Sequence, residues 1–172
     1  MSDEAISQLT VKDISETERE IRLRTLLKKY FDLDGISKFV LGRFQKTATE
    51  EQLKQFSQLF EDFNVLSWTN RFKDYGVEGV EIGKASPRDE NGFVLIESKF
   101  NRPQPNPPLL VNWRLTGNDD NLKVFDIIAE GVSMAMTQKS DYSAVLQRNK
   151  MEGLLEVMQD KIKKIKEADA KK

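Results

Sequence analysis

One change of rhythm constrains this chain of 172 residues more than anything else in it. Up to about residue 76 the large apolar residues recur at helical spacing. From Val77 they alternate with polar ones, and after Tyr142 the helical spacing returns. Helices, then a run of half-buried strands, then helices again cannot make alternating βαβ units. They predict an α+β fold, with helices packed on one face of a curved, mainly antiparallel four-stranded sheet.

The helical half is punctuated by caps. Ser15 and Glu18 form an S-x-x-E capping box, after which Leu23, Leu26, Leu27, Tyr30 and Phe31 share a helical face. Asp34-Gly35 interrupts that pattern, and Ile36, Phe39, Val40 and Phe44 mark a short second helix. Thr49 with Gln52 makes another box and opens a long helix carrying Leu53, Phe56, Phe60 and Phe63 on one side. It continues through Leu66, Trp68 and Phe72 toward Tyr75-Gly76. The pair Asp32 and Asp34 could pass for calcium ligands, but a helix-to-helix turn needs these residue types and capping is the reading adopted.

In the strand region Val80 and Ile82 alternate with Glu81 and Lys84, and Val94, Ile96 and Phe100 with Glu97 and Lys99. Leu109, Val111, Trp113 and Leu115 form the next alternating set. Asn101–Pro108 is too rich in proline to join a ladder and reads as a loop. A last strand is expected over Lys123 to Met136, with Gly131 marking a bulge or a close approach to the backbone. Asp126 and Glu130 on that strand would stand roughly 13 Å apart, beyond the reach of a paired acid and base, and so are assigned to anchoring helices or loops. Residues 1–12 are expected to be a flexible N-terminus, 13–166 a single domain, and 167–172 a flexible basic tail.

Composition narrows the chemistry. With no Cys and no His, no imidazole-activated nucleophile, thiolate or zinc site on imidazole or sulfur is available, and no metal or cofactor is expected. Lys plus Arg (27) nearly balance Asp plus Glu (28), so no global field points toward nucleic acid. Ten Phe and two Trp call for an aromatic interior. No run of 18 apolar residues spans a membrane, and Met1 to Thr10 lacks the charged and apolar regions of a signal peptide.

Several stretches together resemble the MlaC-type family of periplasmic phospholipid-binding proteins, also described as toluene-tolerance auxiliary transport components. The likeness starts at Tyr30-Phe31-Asp32 and continues through Val40-Leu41-Gly42-Arg43 into Lys46-Thr47-Ala48-Thr49-Glu50-Glu51-Gln52, with Phe56 and Phe60 following. It is strongest from Asp126 to Met134, in the string Ala129-Glu130-Gly131-Val132-Ser133-Met134, and resumes at Tyr142, Leu146 and Gly153-Leu154. It covers about Arg24 to Leu155. Ser67-Trp68, Lys139 and Tyr142 depart from the residues often found in the family while keeping their character.

The resemblance implies a non-enzymatic carrier whose cargo, a phospholipid, is held by its acyl tails in an internal apolar cavity. The partners it implies are an inner-membrane ABC transporter complex with its substrate-binding-type subunit and an outer-membrane lipoprotein/porin complex. The expected location is the periplasm and the expected state a monomer. An exported chain of this sequence would be a mature form carrying an added Met. On this reading the matched motif places Val132 and Met134 on one face of the last strand, pointing into the cavity. Leu109, Val111 and Trp113 lie beside them, and Val94 and Ile96 extend the floor. Pattern alone suggests Phe39, Phe60 and Phe72 as the roof. The headgroup is expected to stay in water at the mouth with little specific contact. A hopanoid or other apolar-lipid carrier of the same family is the alternative cargo. Two rivals come from other classes: an enzyme using a carboxylate beside Tyr30, Tyr75 or Tyr142, and a cavity-free interaction module.

Overall fold

The structure, a computed structural model, describes residues 15–74, 79–103, 105–118 and 120–169. The N-terminal stretch assigned to 1–12 lies outside the described residues. Helix α1 (Glu16–Tyr30) is capped by Ser15, whose hydroxyl accepts from Glu18 N at 3.1 Å. Helix α2 (Leu33–Leu41) is capped by Asp32, whose carboxylate accepts from Gly35 N at 3.0 Å. A Cβ at position 35 would run into that carboxylate, so the glycine is dictated by the cap. After a 3₁₀ turn (Gly42–Lys46), α3 (Glu50–Asp74) opens on a reciprocal capping box between Thr49 and Gln52. Asp32 and Asp34 are thus a cap and a salt-bridge partner of Lys38.

Five strands follow in sequence order, every neighbouring pair antiparallel: β1 (Gly79–Ala85), β2 (Val94–Asn101), β3 (Leu109–Thr116), β4 (Lys123–Ala129) and β5 (Val132–Ser133). Helix α4 (Met134–Asp169) closes the described chain, broken at Lys150 by a φ of 55°. The α+β layout and the antiparallel sheet are as expected. Among the described residues, however, the sheet has five strands, because the predicted last strand is not continuous. Glu130 and Gly131 both take positive φ (49° and 80°) between the paired residues Ala129 and Val132. That is the backbone signature of a two-residue type I′ hairpin. Gly131 therefore makes a turn where a bulge had been expected. Val132 and Met134 do not share one face of a strand, since Met134 is already the first residue of a helix.

The carboxylate of Asp126 organises that switch from strand to helix. Asp126 is buried on β4, where it accepts a hydrogen bond from Ser133 Oγ at 2.6 Å and another from the backbone N of Ala135 at 2.9 Å. Ser133 Oγ in turn accepts from Met136 N at 3.0 Å, capping α4. A buried carboxylate is tolerable only when paired or hydrogen-bonded, and here it receives the Ser133 hydroxyl and one free N–H at the positive end of a helix, with Arg114 Nη1 3.8 Å away. Glu130 anchors the other side of the hairpin, accepting from Leu110 N at 2.8 Å while its own N–H donates to Leu110 O at 3.0 Å.

The core falls into three apolar clusters. One joins α2, α3 and α4 around Val40, Phe56, Phe60, Leu146, Leu154 and Met158. A second ties α1 to α3 through Leu23, Leu26, Leu27 and Val65. The third belongs to the sheet and centres on Val94, Val111, Leu115, Val124 and Ile127. Phe31 packs against all three. Its place is fixed by the backbone, because the α1–α2 corner bridges to β4 through Asp32 N donating to Val124 O at 3.0 Å. Replacing Asp126 by Ala is expected to lower the unfolding free energy by about 3 kcal/mol, against about 1 kcal/mol for Ser133→Ala. Urea denaturation of the two variants checks this; equal losses would mean that α4 does not depend on the buried carboxylate.

Candidate functional site

A cavity of about 190 Å³ lies where the α1–α2 corner, α3, β4 and the start of α4 meet. Phe31, Phe60, Trp68, Phe125, Ile127 and Met134 supply its apolar wall. Its polar side includes Asn64 and Gln138, which form an amide pair spanning α3 and α4: Gln138 Nε2 donates to Asn64 Oδ1 at 3.1 Å, and Asn64 Nδ2 donates to Phe60 O at 2.7 Å. The volume falls below the roughly 300 to 1,000 Å³ of ordinary ligand pockets. It is close to the ~150 Å³ apolar void that accepts a single benzene. A large enclosed cavity of the expected kind is not shown among the described residues.

A second apolar surface continues from this cavity. Ile96, Phe100, Leu109 and Trp113 share the sheet face of Val94 and Val111, as the pairs Val94–Leu115, Ile96–Trp113 and Phe100–Leu109 require. These four stay only half-buried, and Ile82 and Val132 farther out are 50% and 52% exposed. The helices meet the sheet chiefly at β4 and β5, which leaves this side of β2 and β3 less covered. The indole of Trp113 is pinned there: its Nε1 donates to Ser98 Oγ at 2.9 Å, and Ser98 Oγ donates to Val111 O at 2.7 Å.

The sequence-expected residues divide between these two regions. Val94, Ile96, Leu109, Val111 and Trp113 do come together, on the open sheet face. Phe60 and Met134 line the cavity. Val132 pairs with Ala129 at the sheet's short edge strand and stands half in solvent. Phe39 lies between the rings of the helix layer and β4, edge-on to Phe125 at 5.4 Å with Lys139 Nζ 4.2 Å from its centroid, and is absent from the cavity lining. Phe72 is on the last turns of α3, and its side chain lies outside the described part of the structure.

Phe31, Trp68, Phe125 and Ile127 are among the lining residues that the sequence reading did not assign to the site. Phe31 ends a helix by pattern, and only the corner to β4 turns it inward. Phe125 is skipped in the β3–β4 register, which jumps from Arg114–Asp126 to Leu115–Val124, and such an irregularity re-aims a side chain away from strict alternation.

Among the described residues no cluster of acidic side chains could hold a metal ion. Tyr142 is buried against Phe56 with its hydroxyl unpartnered, and burial pushes its pKa well above the ordinary value. No described carboxylate hydrogen-bonds to it.

Residues 1–160 match the protein family described as MlaC protein. The chain belongs to the MlaC family. A curated relative, the intermembrane phospholipid transport system binding protein MlaC of Haemophilus influenzae, is 24% identical over 158 residues, covering 86% of this chain and 74% of the relative. Among solved structures, a phospholipid-binding protein of Ralstonia solanacearum, determined in complex with a phospholipid, superposes with a TM-score of 0.76 over 95% of this chain and 93% of that one, at 17% identity. That likeness shows that the two chains share this arrangement of helices and sheet. No described helix is long and apolar enough to cross a membrane.

Tyr142 offers a test of how dry this MlaC interior is. A buried hydroxyl without a partner costs free energy, so Tyr142→Phe is expected to leave stability unchanged or raise it by about 1 kcal/mol. The sign of the pH effect follows from the raised pKa: stability from the neutral phenol is complete below about pH 10, the unfolded value, and declines as pH rises above it. Alkaline denaturation curves should therefore flatten in the Phe variant; unchanged curves would place the hydroxyl in contact with water.

Proposed function

We propose that this protein is a carrier of phospholipid that performs no chemistry on its cargo and holds the acyl tails between its helices and its sheet. It works in the periplasm, passing lipid between an outer-membrane lipoprotein/porin complex and an inner-membrane ABC transporter with its substrate-binding-type subunit. The process it serves is the maintenance of outer-membrane lipid asymmetry. What carries the reading is the superposition, over nearly the whole chain, on a fold whose Ralstonia representative was determined with a phospholipid bound. The name of the Haemophilus relative points to the same transport system.

The physics of the interior supports a carrier that must open. Two acyl tails hold on the order of 30 methylenes, worth about 24 kcal/mol of burial at ~0.8 kcal/mol each. A cavity of 190 Å³ takes the end of one tail at most, so loading has to part the two layers. The layers are joined along β4 and β5 and at the Phe31 corner, which leaves the half-buried face of β2 and β3 as the side that can separate. Binding lipid selects the parted arrangement. Release then requires a partner that favours the closed one or competes for the tails. The small cavity is also what a cavity-free interaction module would show, and the same measurement decides between the two.

Native mass spectrometry of protein purified without detergent from a bacterial host, with lipid extraction of the same sample, is expected to show an added mass equal to phospholipid. Met134→Trp and Ile127→Trp, each filling the cavity wall, should reduce the loaded fraction at least tenfold. A bare polypeptide mass that persists after incubation with liposomes would exclude the carrier function, and an extract of hopanoid alone would change the cargo.

A further inference from the structure

The cavity and the open sheet face are neighbours that share residues. Trp68 belongs to both: it lines the cavity, packs against the α1–α3 cluster of Leu23, Leu26, Leu27 and Val65, and packs against the sheet cluster of Val94, Val111, Leu115, Val124 and Ile127. Ile127 and Met134, on the cavity wall, belong to that same sheet cluster. The apolar sheet face runs on over Ile96, Trp113, Leu109 and Phe100, all half-buried. We infer that Trp68 determines which acyl tails the protein accepts, its indole being the partition that sets how far a tail can run from the cavity onto the sheet.

Three observations single out Trp68 from the other rings nearby. Phe31 touches all three clusters and sits at the backbone bridge to β4, so removing it would unhook the helices from the sheet. Trp113 is held on the sheet by Ser98 and lies beyond the cavity lining. Phe60 stacks on Phe56, 5.6 Å between centroids, as a member of the helix cluster and not of the sheet cluster. Trp68 alone among these combines a large side chain, a place on the cavity wall and contact with the sheet face, without belonging to the α2–α3–α4 cluster. Shortening it joins the two apolar regions, and each further methylene that a longer tail then buries favours that tail by a factor of about four.

This inference rests on the carrier reading, and the experiment separates the two. Wild-type protein, Trp68→Ala and Trp68→Phe are delipidated, checked for folding by circular dichroism, and incubated with vesicles of equal parts dimyristoyl and dipalmitoyl phosphatidylcholine. Bound lipid is then quantified by mass spectrometry. The expected result is a dipalmitoyl-to-dimyristoyl ratio at least fourfold higher on Trp68→Ala than on wild type, with Trp68→Phe between them. If Trp68→Ala does not fold, the shift on Trp68→Phe decides. An unchanged ratio on folded variants that load as much lipid as wild type overturns the role of Trp68 and leaves the carrier function standing. A wild type that takes up neither lipid overturns the carrier function and this inference together.

Discussion

The arrangement depends on one joint, where the corner between α1 and α2 meets β4. Two helices cannot lie on a sheet edge merely because both are apolar; something must fix the angle and the register. Here the backbone does it, through the Asp32–Val124 hydrogen bond, and the Phe31 ring beneath that bond is shared by all three apolar clusters. Because the interior is close-packed, a ring at such a junction transmits position from one layer to the next. Asp126, two residues beyond Val124, fixes the start of α4 from the same strand. One strand thus holds the helical layer at two points, and β1 to β3 extend outward from it.

That asymmetry explains why the interior is neither one filled core nor one open cavity. Close to β4 the layers touch, leaving a wedge of about 190 Å³. Away from it the sheet keeps its apolar face with less helix above, so aromatic and aliphatic side chains there remain half-buried. An apolar face left in this condition costs free energy in water and gains it from any apolar ligand slid over it. The hydrogen bonds of Trp113 and Ser98 fix the indole on this face, while the amide pair of Asn64 and Gln138 lies on the polar side of the wedge. The family to which the chain belongs gives this arrangement its biological sense.

Much of the fold was legible in the residues. Each of the two capping boxes marked a helix start, because a side-chain oxygen placed to accept a free N–H is a local matter. Val94, Ile96, Leu109, Val111 and Trp113 were assigned to one face, and the antiparallel pairing puts them there. The strand assigned to Lys123–Met136 failed at Glu130, a residue whose type gives no warning of a positive φ. With that turn, Val132 and Met134 parted company, one to the sheet edge and one to the cavity. Phe39 meets Phe125 edge-on, and it is Phe125 that lines the cavity.

The sequence by itself determined the order of helices and strands, their caps, the polarity of the sheet's two faces and the absence of imidazole and thiol chemistry. These follow from interactions between residues near one another in the chain, or from composition, and need no knowledge of what packs on what. Only the tertiary structure decided that Phe31 joins the three apolar clusters and that Trp68 both lines the cavity and packs against the sheet. Those facts depend on contacts between residues tens of positions apart, set by the angle at which helices meet a twisted sheet, and hydrophobic period carries no record of that angle.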